Sequence, residues 1–63
     1  MTLGARLKIL REEAGLTQVE VARAVGISGP YASLIEAGKR VPTMRVIEKW
    51  AETCGKKVSI TFF

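Results

Sequence analysis

Residues Thr17 to Gly38 leave the backbone few paths, and the rest of the chain is arranged around them. Val21, Ala22 and Val25 fall at i, i+1 and i+4, an apolar stripe on one face of a short helix. Thr17 with Glu20 three residues on has the form of a capping box, and the apolar Leu16 precedes it, so this helix starts at a defined place. Gly26 ends it, because glycine enters the left-handed conformation of a helix C-terminus without a Cβ penalty. Ile27 can tuck under the break. Ser28 suits the N-cap of a second helix, and Pro30 falls in its first turn, where the missing N–H costs nothing. Tyr31 to Ala37 continue that helix, with Ala32, Leu34 and Ile35 as apolar candidates, and Gly38 stops it.

Two helices joined by so short a link must cross steeply, which is the helix-turn-helix pattern. Counting from Gln18, the small Ala22 is fifth, the turn residue Gly26 ninth and Ile35 eighteenth. The fifth residue must be small because the second helix passes directly over it. The same spacing also fits an ordinary helical hairpin in a small bundle.

A first helix is predicted from about Thr2 to Ala14. Leu3, Leu7, Leu10 and Ala14 form its apolar stripe, Arg6, Lys8, Glu12 and Glu13 its solvated face, Ile9 lies off the stripe, and Gly15 ends it. Beyond Gly38, the basic connection Lys39-Arg40-Val41-Pro42 leads to Thr43, the cap of a fourth helix over about Met44 to Thr53. Met44, Ile47, Ala51 and Cys54 make its expected core face. Val46 and Trp50 form a second apolar pair on a neighbouring face, more than one small core needs, so a second subunit is expected to cover them. The final segment changes period. Val58, Ile60 and Phe62 alternate with Lys57, Ser59 and Thr61, the pattern of a strand. An unpaired strand with an apolar face invites pairing, and its own copy across a two-fold axis is the simplest partner. The organisation expected is therefore a helical domain over residues 1–55 and a dimerisation strand over 56–63.

At 63 residues the chain makes one domain, near the lower limit for folding without staples. One cysteine and no histidine exclude an internal disulfide and a cysteine-rich metal site. They also leave little for catalysis: no enzyme activity, cofactor or metal is expected, and a reduced, cytoplasmic setting fits best. No run approaches a membrane span. The net charge of +4 favours a polyanionic partner.

Gly15-Leu16-Thr17-Gln18, Val25-Gly26-Ile27-Ser28, Ile35-Glu36-Ala37-Gly38-Lys39-Arg40 and Pro42-Thr43 together resemble the Cro/repressor (Xre-like) helix-turn-helix family, over roughly residues 3 to 55. The resemblance implies a mainly α, lambda-repressor-like four-helix domain, to which the C-terminal strand is added. The second helix of the motif would enter the major groove of DNA while the first crosses the backbone. Gly29, Pro30 and Leu34 match positions that in the family often carry base-reading side chains, yet none is a bidentate reader such as Gln, Asn or Arg. Tyr31 and Ser33 remain as polar contacts, and Leu34 with Pro30 as apolar contacts to thymine methyls. Ala32 is smaller than the family's usual aliphatic, and Tyr31 could fill part of that space as core.

Ser28 opens the reading helix. Gln18, heading the first helix of the motif, and the basic Lys39 and Arg40 suit phosphate contacts. Arg23, Arg6 and Arg45 are weaker candidates. Arg11 and Glu36 match positions that in the family form a salt bridge. The function implied is a dimeric repressor occupying a palindromic operator. The alternative is an antitoxin, since the C-terminal strand looks like that of HipB-type antitoxins, which also bind a toxin protein. A third reading is a protein-interaction module without DNA binding.

Overall fold

Each helix opens on a hydroxyl side chain that closes its own first turn. A computed structural model of the chain describes residues 2–56. Within them α1 runs Leu3–Glu13, α2 Gln18–Val25, α3 Gly29–Glu36 and α4 Met44–Thr53. Thr2, Thr17, Ser28 and Thr43 are the N-caps, their side-chain oxygens accepting from the N–H groups of Ala5, Glu20, Tyr31 and Val46. A cap of this kind contributes about 1 kcal/mol. At α2 the capping box is complete, the Thr17 N–H donating back to Glu20 Oε1 at 2.9 Å. Gly26 ends α2 in the left-handed conformation, with φ 87°.

The core is drawn from all four helices: Leu7 of α1, Val21, Ala22 and Val25 of α2, Ala32 and Ile35 of α3, and Val46, Trp50 and Ala51 of α4. α2 packs against both α3 and α4, while α1 lies across the same two helices. Ala22 and Ala32 are buried at that α2–α3 crossing, and Ile27 packs beneath the turn. No helix among the described residues is long and apolar enough to cross a membrane.

Two faces differ from those expected. In α1 only Leu7 of the predicted stripe is buried; Leu10 is half-buried against the core, and Leu3 and Ala14 are exposed. Gly4 is buried instead, because α1 lies directly on the end of α3. A Cβ at Gly4 would overlap the Ile35 carbonyl oxygen and lie 3.1 Å from its carbon and 3.2 Å from the Glu36 oxygen.

In α4 the face is rotated. Val46 and Trp50 enter the core with Ala51, Ile47 and Cys54 are half-buried, and Met44 is exposed. Trp50 is fully buried, and its Nε1–H donates to the Leu7 carbonyl at 3.1 Å, tying α4 to α1. The assignment of Val46 and Trp50 to a dimer interface is therefore corrected: one chain covers both. The indole is the largest apolar group in α4 and its N–H needs a partner, so it takes the interior and turns the helix with it. Val58, Ile60 and Phe62, assigned to the dimerisation strand, lie outside the described residues. Lys56 still belongs to the helix terminus, its N–H donating to the Ala51 carbonyl at 2.8 Å.

Candidate nucleic-acid interface

The α2–α3 crossing decides which residues of α3 face out. Ala32, Ile35 and Glu36 point inward. Pro30, Ser33, Leu34 and Ala37 are exposed, as is the cap Ser28, while Gly29 is half-buried. Tyr31 is also half-buried and packs against the core. Gly29 has an ordinary helical backbone and open space where a Cβ would stand. Only the following Pro30, which disfavours a Cβ on a helical residue before it, gives the glycine a local reason.

α3 ends in a tight turn, with Gly38 at φ 77° and the Lys39 N–H donating to the Leu34 carbonyl at 2.9 Å. Lys39 and Arg40 follow at once and are exposed, and the buried Pro42 anchors the far side of the connection. Two cations thus stand at the C-terminal end of α3, between a hydrogen-bonded turn and a buried proline.

Beneath that end lies a charged cluster. Arg11 of α1 donates from Nε to Glu36 Oε2 at 2.6 Å and from Nη2 to Glu36 Oε1 at 3.1 Å. Its Nη1 donates to the Leu16 carbonyl at 2.9 Å. The pair is nearly dry, the Glu36 side chain being 4% exposed and that of Arg11 12%. Gln18 joins it, donating from Nε2 to Glu36 Oε1 at 3.0 Å. The salt bridge expected from the family resemblance is thus present. The engagement of Gln18 was not foreseen, because nothing in the spacing of residues 18 and 36 signals it. It brings Gln18, at the start of α2, to the end of α3 where Lys39 and Arg40 begin. Ser28, Gly29 and Pro30 stand at the opposite end of α3, about 12 Å away for a helix of this length.

Burial works against ionisation of Glu36, but the hydrogen bonds from Arg11 and Gln18 and the charge of Arg11 outweigh it. The carboxyl is held below its ordinary value, and the Arg11 guanidinium is correspondingly harder to deprotonate. A carboxyl lowered by folding stabilises the protein fully above the unfolded pKa, and that contribution disappears as pH falls through the folded value. Glu36→Gln is therefore expected to melt below the wild type at about pH 7, with the gap in Tm narrowing once pH drops below about 4. Melting followed by circular dichroism across this range checks it; a gap independent of pH would contradict it.

Four capped helices with a steep, small-residue crossing between the second and third define the class: a helix-turn-helix fold of the lambda-repressor type. The family model described as a helix-turn-helix domain matches residues 2–57, and the chain belongs to that family. It is 37% identical over 59 residues to the immunity repressor protein of Bacillus phage phi105, an alignment covering 94% of this chain and 41% of that one. It is 43% identical over 56 residues to the uncharacterized HTH-type transcriptional regulator YqaF of Bacillus subtilis strain 168, covering 89% of this chain and 74% of that one. Among solved structures, SinR, the master regulator for biofilm formation, in complex with DNA, superposes with a TM-score of 0.81 at 28% identity, covering 89% of this chain and 90% of that one. The chain spans about two fifths of the phage repressor's length.

Proposed function

We propose that this chain is the DNA-binding unit of a transcriptional regulator that represses by occupying an operator. The observation that carries this reading is the outward face of α3, followed immediately by a fixed basic turn, on a fold shared with a regulator solved on DNA. α3 lies in the major groove with Ser28, Gly29 and Pro30 leading, and Ser33, Leu34 and the Tyr31 hydroxyl along the groove wall. None of these groups makes a bidentate pair with a base. Discrimination rests on thymine-methyl contact from Leu34 and Pro30 and on DNA shape. Lys39, Arg40 and Gln18 hold the phosphates, and Arg11 with Glu36 holds the helices in register.

The chain works as a homodimer on a palindromic site. The alternation of Val58, Ile60 and Phe62 supports a strand that pairs with its own copy. The relatives favour regulation over toxin neutralisation. Selection of bound duplexes from a random pool tests the reading: half-sites about 34 Å apart, one helical turn, are expected, and recovery of no preferred sequence would overturn it.

The phosphate assignment carries its own expectation. Lys39→Ala and Arg40→Ala should each weaken binding to every sequence alike and reduce the slope of log K against log salt by about 0.9. Anisotropy titrations at several salt concentrations measure this, and slopes equal to the wild type's would refute it.

A further inference from the structure

The buried carboxylate of Glu36 serves three donors with two oxygens: Arg11 Nε on Oε2, and Arg11 Nη2 together with Gln18 Nε2 on Oε1. An ionised carboxylate only accepts, so the end of the Gln18 carboxamide that faces it must be the nitrogen. That settles which way the amide is turned. Nε2 carries two N–H groups; Glu36 takes one, and the second N–H and Oε1 are left for groups outside the cluster. Gln18 is also the first residue of α2 and only partly buried. In that turn the Glu20 N–H is taken by Thr17 Oγ1 and the Val21 N–H by the Thr17 carbonyl, which leaves the N–H groups of Gln18 and Val19 at the helix start beside the Gln18 side chain. Beside them, the side chain of Gln18 is a donor whose direction the Glu36 contact arranges.

We infer that Glu36 is a positioning residue for DNA binding: clamped by Arg11, it turns the Gln18 carboxamide so that the second N–H meets a backbone phosphate. The inference rests on the reading that the α2–α3 unit binds DNA. A free glutamine must be ordered by the phosphate itself, which attracts the amide N–H and repels the carbonyl oxygen, at the cost of its rotamer freedom. With Glu36 holding one N–H, the carboxamide has a fixed direction and its second N–H is set before binding, and Lys39 and Arg40, three and four residues after Glu36, draw the same phosphate strand to that end of α3.

A double-mutant cycle on binding to one duplex, with circular dichroism confirming that every variant is folded at the working temperature, separates positioning from support. Gln18→Met keeps the length of the side chain and removes its donors. It is expected to bind about tenfold more weakly, the loss of one charge-assisted hydrogen bond. Glu36→Gln should weaken binding in the wild-type background and change it no further once Gln18 is Met. Additive losses would overturn the inference, because a merely structural Glu36 would cost the same in both backgrounds. Should Glu36→Gln not fold, Glu36→Asp, which keeps the charge and shortens the reach to Gln18, takes its place in the cycle, and additive losses again overturn the inference. Failure of the wild type itself to bind with salt-dependent affinity would instead remove the reading beneath it.

Discussion

Gly4→Ala is expected to lower stability by about 3 kcal/mol, even though alanine is the better helix former. In an exposed helix interior the same change would stabilise by about 1 kcal/mol. Here the added methyl would overlap the carbonyl oxygen of Ile35, and that neighbour is backbone, with no rotamer to yield. To seat it, α1 must rise off α3, which loosens Leu7 in the core and stretches the contact between Arg11 and Glu36. Overpacking commonly costs about 1–3 kcal/mol, and an unyielding neighbour places this site at the upper end. A domain of this size has roughly 3–9 kcal/mol in all, so a third or more of its stability would be lost, with Tm down by about 12–24 °C. Gly29→Ala is the comparison: apart from its chain neighbour Pro30, which crowds a Cβ before it in helical backbone, nothing stands near the added methyl, so it should lose far less than Gly4→Ala. Thermal melts of the two variants check both, and a Gly4→Ala protein melting with the wild type would contradict the close approach of α1 to α3.

Trp50→Ala should cost about 3–5 kcal/mol, by a loss that does not depend on protein concentration. The indole is fully buried within one chain and removes a polar N–H from water only because the Leu7 carbonyl receives it. Truncation leaves a cavity among Leu7, Val21, Val25 and Ile35, the other large buried side chains of the core. Chemical denaturation at two concentrations tenfold apart distinguishes this from an interfacial role. Were Trp50 held between subunits, the loss relative to the wild type would change with dilution; the expected result is the same difference between variant and wild type at both.

These two residues mark where the sequence was hard to read. Caps and stops are local, so Thr17 with Glu20, Ser28 with Pro30, and Gly26 announced the boundaries of α2 and α3, which the structure repeats. The burial of Val21, Ala22, Val25, Ala32 and Ile35 was equally legible, because a steep crossing leaves only one face inward. Periodicity alone cannot say which of two adjacent apolar faces of α4 turns in. The choice fell to Trp50, whose size and N–H are satisfied only by Leu7 on a helix 43 residues away in sequence. Gly4 carries no hydrophobic signal, and a stripe drawn through Leu3 passes it by. Its one clue is that a glycine inside a good helix usually has a packing reason. At the interface, exposure of Ser28, Pro30, Ser33, Leu34, Lys39 and Arg40 followed from the motif, whereas Gln18 was tied to Glu36 by tertiary packing that no spacing encodes.

The claim that α3 and the turn after it meet duplex DNA is tested most directly by amide chemical shifts of the labelled protein, titrated with a short duplex at low salt. The expected result is that the largest changes cluster at Gln18, at residues 28–34 and at Lys39 and Arg40. Changes centred on the outer face of α4, around Arg45 and Lys49, or no changes at all, would contradict it.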